Sequence, residues 1–123
     1  MSDPRHLLGE RGEETAAAWL ERAGWRILAR RHRSVHGGEV DLIARDPRGT
    51  LVAIEVRARR SVRTGAAATT VDERRVARLG RTLAAYAGEA SIAHRGLRID
   101  LVTLEPLATD RRRWRLRRTP GIG

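Results

Sequence analysis

The chain predicts an α/β domain, a mixed sheet flanked by helices in the order helix, strand, strand, strand, helix, strand. Three observations carry this. Near the start, Ala16, Ala17, Leu20 and Ala23 recur at the three-and-four spacing of a buried helix face. Two runs of period-two alternation then flank Asp46-Pro47-Arg48-Gly49, a segment with the Pro and Gly that turns use. Finally, a second helical stripe of Val76, Leu79, Leu83 and Tyr86 separates that hairpin from another apolar strand. A chain of 123 residues, without internal repeats, is expected to form a single domain over 1–123.

The first helix is expected over Gly9–Ala23, with Gly24 as its C-terminal cap. Glu13 lies on its apolar stripe. It reads either as an early acid complementing the helix dipole or as a carboxylate aimed at the sheet. Trp25–Arg31 alternates loosely as a strand, with Trp25 as a core anchor. His32 and His36 read as ordinary loop histidines, because no thiolate or third histidine supports a zinc pair. Gly37-Gly38 breaks the chain before the hairpin.

The hairpin, GEVDLIARDPRGTLVAIEVRAR from Gly38 to Arg59, holds the chemistry. Alternation places Glu39, Asp41 and Ile43 on one face of its first strand, and Val40, Leu42 and Ala44 on the other. In the second strand Val52, Ile54, Val56 and Ala58 form an apolar row opposite Leu51, Ala53, Glu55, Arg57 and Arg59. Glu55 thus sits among apolar neighbours, where an ionised carboxylate needs a cation or hydrogen bonds. Strand pairing would bring Asp41 beside Glu55, and two or three converging carboxylates suit a hard divalent cation.

Beyond Arg59 the sequence loosens to Thr69, a loop beside the presumed site whose Arg60 and Arg63 could reach a phosphate backbone. Thr70-Val71-Asp72-Glu73 reads as a capping box opening a helix to about Ala87. Arg74, Arg75, Arg78 and Arg81 fall on its remaining surface, either tracking phosphates or simply solvated. In the strand Leu97–Leu104, Asp100 faces away from Leu97, Ile99 and Leu101 and is expected to pair with an arginine. The segment RRRWRLRR, residues 111–118, is either an edge strand held by Trp114 and Leu116 or a basic tail.

Composition narrows the partner. The net charge is +10, and all 25 basic residues are arginine, the side chain best suited to bidentate phosphate contacts. Nucleic acid is therefore favoured over a membrane surface. Three Trp, one Tyr and no Phe argue against a base-stacking platform. The absence of cysteine excludes disulfides, thiolate zinc sites and a cysteine nucleophile. Without a signal-like apolar run or a membrane-length segment, a cytoplasmic location is expected.

Asp41, a spacing of fourteen to Glu55, and Glu55-Val56-Arg57 resemble the Asp…Glu-x-Lys pattern of restriction-endonuclease-like proteins. The surrounding residues sharpen this. Gly12-Glu13-Glu14, Ala16, Leu20, Gly24-Trp25, Gly38–Ala44, Val52–Arg59, Gly65 and Ile99–Val102 together resemble the bacterial YraN family, whose pattern is GE…A…L…GY…GEIDLI…VFVEVKTR…G…RFDVV. The likeness spans about residues 9–104. It implies a restriction-endonuclease-like core similar to archaeal Holliday-junction resolvases, in a family whose role is poorly defined.

By that likeness Glu13, Asp41 and Glu55 would hold Mg²⁺ or Mn²⁺, and Glu39 would support them. Arg57 stands where the family has lysine, and arginine stays protonated where a lysine is tunable. The implied activity is endonucleolytic hydrolysis of DNA (before RNA), branched or structured. Arg59, Arg60, Arg63, Arg74 and Arg78 would contact the phosphates. The alternatives are a nucleic-acid binder that has lost efficient cleavage, and a scaffold binding protein or ribosomal RNA. Symmetric cutting of a junction would call for a homodimer.

Overall fold

The computed structural model describes residues 4–35, 38–58, 71–107, 109–110 and 112–122. Helix α1 (Pro4–Arg22) is followed by strands β1 (Arg26–Arg33), β2 (Glu39–Arg45) and β3 (Leu51–Ala58). Helix α2 (Glu73–Ala90) and strands β4 (Leu97–Pro106) and β5 (Trp114–Thr119) complete the order. The strands form one sheet in the order β1-β2-β3-β4-β5. Only β3 and β4 are parallel; the other three pairs are antiparallel, so the sheet is mixed. Parallel neighbours need a crossover, and α2 lies in it.

Each face of the sheet buries one helix. On one side Ala16, Ala17 and Leu20 of α1 pack with Trp25, Leu42, Ala44, Val52, Ile54, Val102 and Leu104. On the other, Leu79, Leu83 and Ala87 of α2 pack with Val40, Ile43, Leu51 and Ala53. Residues of β3 alternate between the two clusters, as period two requires. Both faces are therefore covered, which is why β3 is apolar along nearly its whole length.

Several boundaries differ from the sequence expectation. Helix α1 begins at Pro4, earlier than Gly9, and proline is well suited to a first helical turn. Ala23 is exposed and not part of the buried stripe, because the helix has already closed and Gly24, with φ 91°, turns the chain away. Helix α2 starts at Glu73, capped by Asp72, whose side chain accepts from the Arg74 backbone N–H at 2.7 Å. Thr70, the cap read from sequence, lies outside the described residues, as does His36. His32 belongs to β1 and makes an edge-on contact with Tyr86, 5.0 Å between ring centres.

Asp100 has a structural role. Its side chain is fully buried and accepts from Arg98 Nε at 2.8 Å, Arg98 Nη2 at 3.1 Å, Arg118 Nη1 at 2.9 Å and the Gly121 N–H at 3.1 Å. Arg98 also donates to Asp46 Oδ2 at 3.1 Å in the β2–β3 turn. Both guanidinium groups lie near the Trp25 ring, at 5.9 and 5.2 Å. One buried carboxylate thus ties β4 to β5 and, through Arg98, to the hairpin. Within the segment 111–118, Trp114–Arg118 is accordingly part of an edge strand, with Trp114 and Leu116 packed on the core.

Gly38 marks the closest approach of the hairpin to α2: a Cβ there would collide with Thr82 Oγ1. Its carbonyl also accepts from the Ser34 N–H at 2.7 Å, which limits retreat. Gly38→Ala is expected to lower stability by ~1–3 kcal/mol, the usual cost of overpacking. Urea unfolding checks this, and adding Thr82→Ala should recover most of the loss.

Candidate metal and phosphate site on the central strands

Strand β2 loses its regular alternation at Asp41. Val40 and Ile43 both pack toward α2, whereas Leu42 and Ala44 pack toward α1. The sequence expectation that Val40 shares a face with Leu42 is therefore wrong, because the chain turns over between them. The β2–β3 ladder ends at Leu42↔Ile54. Past that point the Val56 N–H is taken by the Asp41 side chain, Oδ2 at 2.8 Å. The two strands fork, and a carboxylate fills the fork.

Glu55 reaches the same place from β3. Its row, with Leu51 and Ala53, packs toward α2, and it is buried at 6% exposure. From α2, Arg75 grips both carboxylate oxygens: Nε pairs with Oε2, and Nη2 donates to Oε1 at 3.0 Å. This is the bidentate geometry peculiar to arginine.

Asp41 and Glu55 are close enough to couple their titrations through hydrogen bonding. Burial, then that hydrogen bonding, push the Asp41 carboxyl up to about 8, although the Val56 N–H favours its ionised form. Burial also acts to raise Glu55, but the Arg75 hydrogen bonds and the one from Asp41 outweigh it and hold Glu55 below its ordinary value. Arg57, on the same β3 row, adds to that with its charge. Near neutral pH the pair therefore keeps one proton and one negative charge, which Arg75 balances.

Glu13 is not gathered with them. It accepts from Arg31 Nε at 2.9 Å, and Arg31 Nη1 also reaches Glu10 Oε1 at 3.1 Å. Arg31 adopts a left-handed backbone (φ 48°) unusual for a residue with a side chain. Glu10, Glu13, Glu14, Arg30, Arg31 and Leu42 line a cavity of about 270 Å³ on the α1 side. Glu55 lies on the α2 side, and Asp41, at the point of turnover, feels the charge of both Glu55 and Glu13. Among the described residues no three His, Asp or Glu side chains come together so as to hold a metal.

Of the remaining sequence candidates, Arg74 and Arg78 are exposed on α2, and Glu39 is exposed with Arg33 Nε at 3.4 Å. Arg59, Arg60 and Arg63 lie outside the described residues. From the sequence, Arg75 reads as one more surface arginine. Its signal was its spacing, since 75, 79, 83 and 87 form one row and Leu79, Leu83 and Ala87 are buried. A cation on a buried helical row matches an anion on a buried strand row.

A mixed sheet covered by a helix on each face, with an acid pair at the fork of its central strands, is a restriction-endonuclease-like α/β core. The chain belongs to the uncharacterised protein family UPF0102, the YraN family, whose model matches residues 12–104. It is 36% identical over 101 residues to a UPF0102 protein of Carboxydothermus hydrogenoformans, covering 82% of this chain and 84% of that one. Over 106 residues it is 42% identical to a UPF0102 protein of Anaeromyxobacter dehalogenans, covering 83% and 75%. A relative from Deinococcus radiodurans is 44% identical over 86 residues, 69% of each chain. Among the described residues no helix is long and apolar enough to cross a membrane.

Proposed function

We propose that this protein binds nucleic acid and hydrolyses its phosphodiester bonds with a divalent cation held by Asp41 and Glu55. The observation that supports it is the carboxylate pair at the β2–β3 fork, held in place by the Val56 N–H. The donor set fits Mg²⁺ or Mn²⁺. Both are hard cations, and Mg²⁺ in particular is commonly bound by one or two carboxylates together with substrate phosphate and water. Glu13, while held by Arg31, would contribute charge and not a ligand.

Such a cation, when bound, supplies an activated water and neutralises charge on the phosphoryl group. The protein's own part is positional and electrostatic. The Val56 N–H orients Asp41 by engaging one of its carboxylate oxygens. Arg57, beside Glu55 on β3, would stabilise negative charge developing on the phosphate. The exposed Arg74 and Arg78, on the helix that carries Arg75, would meet the flanking phosphates. DNA is the favoured substrate, branched forms included.

Two observations favour a second reading, a binder that no longer cuts: arginine occupies position 57, and Arg75 already compensates Glu55. A panel of linear, flapped and four-way DNA, with Mg²⁺ or Mn²⁺, separates the two. Cleavage that depends on the cation supports the first; salt-sensitive binding without cleavage supports the second. Arg57→Lys is expected to raise the cleavage rate roughly tenfold, within the range of a positioned acid–base group. An unchanged or lower rate would show that residue 57 does not act on the attacking water.

A further inference from the structure

Arg75 is placed unlike the other arginines of α2. Its side chain is 40% exposed, while the carboxylate that it grips is 7% exposed. The guanidinium therefore stands between a buried acid and solvent. The charge of Glu55 acts on it first, with smaller contributions from Asp41 and Glu39. Two of its donors are committed to Glu55, and Arg74 and Arg78 are exposed on the same helix. A divalent cation held by Asp41 and Glu55 would compete with Arg75 for the Glu55 carboxylate.

We propose that Arg75 is an exchangeable counter-cation: it neutralises Glu55 until a divalent cation takes the carboxylates, and is then released to bind the substrate phosphate. This rests on the metal reading given above. The chemistry suits the exchange, because a guanidinium fits carboxylate and phosphate through the same bidentate fork. It is tethered on a helix, so release is a side-chain rotation that needs no movement of the sheet. The contact makes the metal-free fold tolerate two adjacent acids, and it makes cation binding and phosphate binding favour one another.

The test is Mn²⁺ binding, by calorimetry and by the free-Mn²⁺ paramagnetic signal, on the full chain and on Arg75→Gln and Asp41→Asn. Arg75→Gln is expected to bind Mn²⁺ roughly tenfold or more tightly than the parent, since a competing charge-assisted pair is gone. Asp41→Asn should lose the binding. Equal or weaker binding by Arg75→Gln, with the parent and the Asp41 dependence intact, overturns the exchange and leaves the metal reading standing. If neither the parent nor Arg75→Gln binds Mn²⁺, the metal reading falls and the exchange with it. Should Arg75→Gln not fold, Mg²⁺ titration of the ¹⁵N-labelled parent decides, with Arg75→Lys locating the resonance. The Arg75 Nε–H signal must leave its hydrogen-bonded position as Mg²⁺ saturates; a signal that stays put refutes release.

Discussion

Asp41→Asn is expected to make the protein more stable than its parent, by a clearly larger margin at pH 9 than at pH 5, with EDTA present. The carboxyl of Asp41 sits at about 8 against an ordinary value of 3.8. A group raised in this way contributes stability that is complete below its unfolded value and is lost as pH climbs through the folded one. Between pH 5 and 8 the parent therefore loses stability, because folded Asp41 must keep a proton that the unfolded chain has already released. Three pH units correspond to ~4 kcal/mol as an upper bound, and ~2 kcal/mol is expected for a partly screened side chain.

Asparagine imitates the protonated acid: its oxygen accepts from Val56, its amide donates to Glu55, and it never ionises. Glu55 runs the other way, its contribution being lost as pH falls below its ordinary value of 4.5, outside this window. Thermal unfolding of both proteins at the two pH values measures the difference. A variant that gains stability and loses function is the mark of a site kept for chemistry.

Asp100→Ala is expected to destabilise the fold by ~3–5 kcal/mol, the range for removing one partner of a buried ion pair. The large value follows from what is left behind. Arg98 would lose two of its three acceptor contacts, Arg118 the only one seen among the described residues, and the Gly121 N–H its acceptor. The edge strand β5 is held to β4 by its ladder and by this acid, so it should loosen first. Since small domains have only ~5–15 kcal/mol of net stability, much of the protein would be unfolded at growth temperature. Urea midpoints measure the loss. Asp100→Asn, which keeps the shape and part of the hydrogen bonding, should cost clearly less.

Much of this architecture could be read from the residues, for identifiable reasons. The hairpin declared itself because Asp46-Pro47-Arg48-Gly49 sits between two alternating runs, and Val52 and Ile54 face α1 while Leu51 and Ala53 face α2 as alternation requires. Glu55 was found because an acid in an apolar row demands a partner. What could not be read lies where one local rule gave way to another. The turnover at Asp41 breaks period two, and a side chain standing in for a ladder partner leaves no pattern in the sequence. Glu13 was placed on the right helix stripe, but Arg31, in a left-handed conformation, turns back to hold it. Arg75 was hidden among neighbours of its own kind, and only the helical row from 75 to 87 sets it apart.

The decisive comparison is nicking of four-way DNA with Mn²⁺ by the parent and Asp41→Asn, purified in parallel, with DNA affinity measured beside it. The carboxylate pair predicts cation-dependent nicking by the parent and none by Asp41→Asn, with affinity kept or raised because a negative charge is gone. Equal nicking by the two proteins would contradict it, and would trace the activity to a contaminant.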